Sequence, residues 1–262
     1  MNVGILLDPT RHPIIGHRGA SGLAPENTIA SFDLALAQGA DAFEFDIRLT
    51  ADAIPVVFHD ATLDRTTDAT GPISSRSLAD LQPIDAGARF TADGVTFPYR
   101  GQGVRIPTLT EVLARYPDLP MLVELKLVEA GEPVRLALLA AGAADRVVVA
   151  SFHQRAVDPF RRPPFLPGAS RREIVDLALR SFLRLKPRDR GVVLYPVPDR
   201  YRGWIPVPTW RFVRNASIHG RPVHVWTIND VPTAEALWSI GCAGMITNFP
   251  GLLRAARERL KT

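Results

Sequence analysis

Apolar runs of strand length alternate with helically periodic segments almost from end to end of the chain. Strand-like runs fall near 14–18, 42–48, 54–58, 121–126, 146–151, 192–197, 222–228 and 243–247. The spacing predicts helices over 27–38, 109–116, 132–142, 170–184, 208–219, 232–240 and 251–260. This alternation marks repeated βα units on a parallel sheet. Asn27 and Ser31 read as ordinary N-terminal chemistry of the first of these helices, and Gly39 and Gly241 as helix-ending glycines. Eight candidate strands predict an α/β fold of the TIM (β/α)8 barrel type. An open doubly wound sheet would alternate similarly, but polar residues cluster at the C-terminal ends of several strands, which in a barrel converge on one mouth. Residues 61–107 break the rhythm with Thr, Asp, Gly, Pro and Ser. They predict a small insertion after the second strand region, a lid or subdomain over that mouth.

With 262 residues and 46% apolar composition, one core over 1–262, a single domain, is expected. No run approaches the roughly 18 apolar residues of a membrane span. The opening MNVGILLDPTRHP lacks the pattern of a signal peptide, so a cytoplasmic location is expected. The lone Cys242 can form no intramolecular disulfide and reads as a small buried hydrophobe. The net charge of +4 comes with scattered Arg and no long basic run, which argues against nucleic acid as a partner. Lys occurs only at 126, 186 and 261. Lys126, inside an apolar run, therefore needs a reason.

In FEFDIRL, Glu44 and Asp46 lie two apart and share one face of a strand, with Phe43, Phe45 and Ile47 on the other. Glu124 and Lys126 repeat the arrangement in MLVELKL. Three carboxylates in apolar runs call for a bound ion or an ion-pair network. With no Arg evident on the same face, the ion is favoured, and oxygen ligands suit Ca2+ or Mg2+. His17 and His59 each close a strand, where one imidazole can accept a proton while the other donates one. Arg18 and Lys126 offer a phosphate a fork and a point charge. Trp226 reads as a pocket wall or as core packing, with nearly equal weight. His12, His153, His219 and His224 carry no comparable signal.

The block from HRGASGLAPENTIASFDLALAQGADAFEFDIRLTADAIPVVFHDATLDRTT (17–67), with PTLTEVL, LVELK, VHVWTIND and GMITNFPG, resembles the glycerophosphodiester phosphodiesterase family over nearly the whole chain. The resemblance implies a TIM barrel, a divalent ion, and hydrolysis of a small-molecule glycerophosphodiester to glycerol 3-phosphate and an alcohol. It implies Glu44, Asp46 and Glu124 as metal ligands, His17 and His59 as the acid/base pair, and Arg18 and Lys126 as phosphate binders. Asp60 becomes a supporting residue that orients its loop or a neighbouring His. Asn248 stands where that family often has Asp, and Ala53 where it often has Gly. Residues 160–205 match least well. Within and beside them, Tyr201, Arg202, Trp204 and Ile205 suggest weak contact with a membrane surface and a competing phospholipase D-like activity on lysophospholipids. A non-catalytic barrel binding phosphate esters is the remaining alternative.

Overall fold

A computed structural model describes residues 3–260. Eight parallel staves curl into an α/β barrel: β1 (Ile14–His17), β2 (Ala42–Leu49), β4 (Met121–Leu125), β5 (Val147–Ala150), β6 (Leu166–Pro167), β7 (Tyr195–Pro198), β10 (Val223–Trp226) and β11 (Gly244–Thr247). Hydrogen-bonded order runs β6-β5-β4-β2-β1-β11-β10-β7. Two backbone bonds join the ends of this order, Val193 N to Pro167 O (2.8 Å) and Ala169 N to Leu194 O (3.0 Å), and close the ring. The TIM-barrel expectation holds, but one of its staves was misplaced. The run near 54–58 forms β3 (Pro55–Val57), which pairs antiparallel with β2 and lies off the barrel path. The stave missing from the sequence reading is β6, two residues inside the proline-rich PPFLPG, too short to show a period.

Alternation along each stave sorts its side chains. Phe43, Phe45 and Ile47 of β2 point outward into a fully buried layer with Met121, Val123 and Leu125 of β4, under the helices α2 (Ile29–Ala37), α4 (Leu109–Arg115) and α5 (Gly131–Ala140). On the opposite side Val223, Val225 and Met245 pack beneath α7 (Arg171–Phe182), α8 (Trp210–Ser217), α9 (Val231–Ser239) and α10 (Pro250–Arg259). The inward residues Ile15, Ala42, Leu122, Val148, Leu194 and Ile246 fill the barrel with Val3 and Leu6. Leu6 belongs to a one-turn helix, α1 (Gly4–Leu7), that plugs the floor. His224 of β10 also points inward and is wholly buried. Its Nε2 donates to Leu6 O at 2.7 Å, while its Nδ1 has no partner. A Cβ on Gly244 would lie 2.2 Å from that Nδ1, so glycine is required beside the ring.

The first long helix starts later than expected. Thr28, not Asn27, is its N-cap and accepts from Ser31 N. Asn27 adopts φ 58° and is used at the barrel mouth instead. Gly39 (φ 78°) and Gly241 (φ 92°) take the left-handed conformation expected after a helix. Residues 61–107 form a small subdomain with its own core around Leu63, Ile73, Leu81 and Ile106. Among the described residues none of them lines the mouth cavity, so the insertion flanks the mouth and is not a lid over it. Cys242 is buried, which pushes its thiol up to about 12. No described helix is long and apolar enough to cross a membrane.

Candidate active site

Register brings the chemistry together. Pairing of β1 with β2 sets His17 beside Glu44, and pairing of β2 with β4 sets Asp46 beside Glu124. Glu44 and Asp46 are buried, and oxygen atoms of Glu44, Asp46 and Glu124 all lie within 4.8 Å of one another. All of the residues singled out in the sequence converge here. His17, Arg18, Glu44, His59, Glu124, Lys126 and Trp226 line one cavity of about 120 Å3 at the C-terminal ends of the staves. Asp46 lies just beneath it, bonded to Lys126 and Arg18.

The grounds on which the sequence favoured an ion over an ion-pair network do not survive. Arg18 Nε reaches 3.0 Å from Asp46 Oδ2, and Lys126 Nζ sits 2.7 Å from Asp46 Oδ1 and 2.9 Å from Glu124 Oε1. Arg48, the next inward residue of β2, donates to His59 O at 2.8 Å. Arg18 and Lys126 contact Asp46 and Glu124 but leave Glu44 with no ion pair to a Lys or Arg, a negative charge in excess. That excess shows on Glu44. Burial and the Asp46 charge push its carboxyl well above the usual range, against the pull of Arg18 and Lys126. Burial would raise Asp46 as well, but Lys126 and Arg18 outweigh it and hold the carboxyl at about 2. Glu124 is raised by burial, partly offset by Lys126.

Each histidine is oriented through Nδ1. His17 Nδ1 lies 2.7 Å from Asn248 Oδ1, which also accepts from Ser21 Oγ at 2.9 Å; Asn229 Oδ1 in turn accepts from Asn248 N at 2.9 Å. Burial, reinforced by the Arg18 charge, lowers His17 to about 4 despite the Asn248 bond. Its Nε2 stands 3.9 Å from Glu44 Oε2. His59 Nδ1 lies 2.6 Å from Asp60 Oδ1, so Asp60 orients the neighbouring His. From Asp60 the charges continue through Arg65 (2.5 Å), Glu26 and Arg18 (2.9 Å) back to Asp46. Asn27 Nδ2 donates to Asp46 Oδ2 at 3.0 Å.

The turn that carries Arg18 is tight. Arg18 itself has φ 54°, and Gly19 has φ 87°. A Cβ on Gly19 would meet Ser31 Oγ at 2.4 Å, so only glycine passes between the strand end and α2. Ser31 Oγ donates to Arg18 O at 2.9 Å, and is thus part of this turn and not merely helix-start chemistry. The far wall of the cavity is apolar: Ile174, Pro196, Pro198, and Trp226 set perpendicular to Phe152 at 6.2 Å. Glu26, Arg65 and Phe152 escaped the sequence reading. Glu26 and Asn27 sit in the quoted PEN string, but nothing in their spacing shows which partners they meet.

The geometry defines an α/β-barrel enzyme whose mouth combines a carboxylate cluster, fixed cations and two oriented imidazoles. The glycerophosphoryl diester phosphodiesterase family matches residues 17–156. The Bacillus subtilis protein YhdW is 35% identical over 250 residues, covering 92% of this chain and 96% of its own. A second Bacillus subtilis protein, named glycerophosphodiester phosphodiesterase, is 30% identical over 97% of this chain and 89% of its own. Among solved structures, an Oleispira antarctica phosphodiesterase in complex with the product sn-glycerol-3-phosphate superposes with a TM-score of 0.74 at 28% identity, covering 94% and 96% of the two chains. The chain belongs to the glycerophosphoryl diester phosphodiesterase family.

Proposed function

We propose that this chain hydrolyses small glycerophosphodiesters to glycerol 3-phosphate and an alcohol, using a divalent ion held by Glu44, Asp46 and Glu124. The observation that carries this reading is the three-carboxylate cluster, with oxygens within 4.8 Å of one another between His17 and His59, in a chain of this family. The donor set fits a hard ion such as Ca2+ or Mg2+. On the Glu124 side only Lys126 contacts Oε1, and Glu44 lacks a compensating cation of its own. Asp46 can hold Lys126 and an ion together, because each carboxylate oxygen has more than one lone pair. When bound, the ion supplies charge neutralisation at the phosphoryl oxygens and lowers the pKa of a hydroxyl beside it.

The protein's own groups do the rest. Arg18 and Lys126, already fixed by Asp46, present their remaining donors to the phosphate. One imidazole takes the proton of the attacking hydroxyl, and the other protonates the leaving alcohol as its bond to phosphorus breaks. With the glycerol hydroxyl of the substrate as that nucleophile, the departing alcohol leaves a cyclic phosphate, and water then opens it to glycerol 3-phosphate with the two imidazoles exchanging roles. Asn248 and Asp60 hold the two Nδ1 atoms, which leaves each Nε2 for this work. His17→Ala and His59→Ala should each lower kcat by at least about 100-fold, in assays of a glycerophosphodiester panel with EDTA, Ca2+, Mg2+ and Mn2+. Near-normal turnover in both variants, or full activity in EDTA, would overturn the assignment.

A second reading, phospholipase D-like hydrolysis of lysophospholipids, is favoured by one observation. The strands β8 (Arg200–Tyr201) and β9 (Ile205–Pro206) form a hairpin, following β7, on which Tyr201, Trp204 and Ile205 are exposed. Turnover of a long-chain lysolipid but not of glycerophosphocholine would select it.

A further inference from the structure

Residues 175–218 differ from the rest of the molecule in two ways at once. They hold nine Lys and Arg against three Asp, a net of +6, whereas the whole chain carries only +4. The remainder of the protein is therefore net acidic. The same segment also supplies ten of the nineteen exposed large apolar side chains among the described residues, from about a sixth of the sequence. Positive charge and bare apolar side chains are thus concentrated in the segment that forms α7, the hairpin and α8, and α7 packs directly against α8.

The centre of this sector is a groove of about 410 Å3 between α7 and α8. Trp210 is 52% exposed and Ile218 59%, on the outer face of α8, and Leu185 lies across from them. Arg211 and Arg214 share that face of α8, and Lys186 lies on the opposite wall. None of these three cations has an acidic partner among the described residues, and no Asp or Glu lines the groove. In contrast, Arg180, Arg188 and Arg190 of the same sector are all paired with Asp176. Phe182, 79% exposed at the end of α7, extends the apolar surface. A helix face with Trp and Ile between arginines, exposed to water, is the chemistry that lies in the headgroup region of an anionic bilayer.

We propose that the α7–α8 sector docks the enzyme on anionic phospholipid bilayers. Charge complementarity selects this occupant: the unpaired cations demand a negative partner, and the projecting Trp210 and Phe182 demand an apolar one beneath it. Arg171 and Ile174 at the start of α7, and Pro196 and Pro198 of β7, line the catalytic cavity. The cavity thus meets the first turn of α7 and the groove its last, so docking and turnover draw on different residues of the same helix.

Co-flotation of the full chain with vesicles tests this. One set is phosphatidylcholine alone, and the other contains phosphatidylglycerol as well. The wild type should float with the second set, less so as salt is raised, and its tryptophan emission should shift to the blue. R211E/R214E should reduce binding by at least about 25-fold, on the scale of roughly fivefold per cation. W210F should lose most of the emission shift. Both variants should keep wild-type turnover of a soluble glycerophosphodiester, which separates a loss of docking from misfolding. Three outcomes would overturn the proposal: equal binding to both vesicle types or to neither, undiminished binding by R211E/R214E that keeps its turnover, or a lipid-free dimer that buries Trp210.

Discussion

The same staves serve opposite purposes at their two ends. At the mouth, β1, β2 and β4 deliver His17, Glu44, Asp46 and Glu124 into a connected set of ion pairs, with Lys126 and Arg18 between the carboxylates. At the floor, the inward residues Ile15, Ala42, Leu122 and Val148 meet Leu6 of the plug, and the inward-pointing His224 is held neutral. Charges that must be buried for chemistry are kept only where others surround them. Where no partner charge is available, burial selects the uncharged form. Activity and stability should accordingly respond to substitutions at different ends.

The largest effect should come from the mouth. Lys126→Ala leaves Asp46 and Glu124 facing each other without their shared cation. It should reduce kcat/KM by about 1000-fold, the upper scale for losing a fixed electrostatic group. A value close to wild type would show that the lysine is only structural. At the floor, Leu6→Ala opens a cavity in a fully buried site and should cost about 2–5 kcal/mol in denaturant unfolding. Its kcat/KM should stay unchanged where the protein is folded. A parallel loss of activity would mean that the two ends are coupled.

His224 gives the floor a pH dependence. Burial lowers its pKa from 6.5 to about 4, so the unfolded chain takes up its proton first as pH falls. Stability from this group is intact above pH 6.5, declines between pH 6.5 and 4, and ends lower by about 3 kcal/mol. His224→Asn should flatten that part of the unfolding profile relative to wild type. Identical slopes in the two proteins would remove the histidine from the account. The smallest effect lies outside both ends. Ala53, at φ 60° in the turn between β2 and β3, occupies a position that favours glycine. Ala53→Gly should leave activity unchanged and raise stability by at most about 1 kcal/mol.

What was legible in the sequence follows from periodicity. Glu44, Asp46 and Glu124 could be placed on inward faces because a strand alternates strictly, and His17 and His59 because each ends an apolar run. Relations across the sequence were not legible. Asn27 looks like a helix cap until the fold brings it to Asp46, 19 residues away. Arg65 gives no sign that it links Glu26 to Asp60. The expectation of an Arg-free carboxylate face failed because Arg48 follows Asp46 on the same face of β2 and Arg18 arrives from a neighbouring strand end. Elements too short to repeat a period were lost altogether: the four residues of α1 and the two of β6. The antiparallel β3, in turn, could not be told from a barrel stave by its apolar run alone.

The ring is completed by pairing the first stave with the last, Ile14 against Met245 and Ile15 against Ile246. On the ribosome these two partners are made far apart in time. At about 5–20 residues per second, β1 emerges roughly ten to fifty seconds before β11 is complete. Throughout that interval one edge of β1 has no strand to receive it, and His224 has not yet arrived to hold Leu6. Any sheet that forms before then has a bare edge at β1. Its need for protection from neighbouring chains ends only when β10 and β11 have been made.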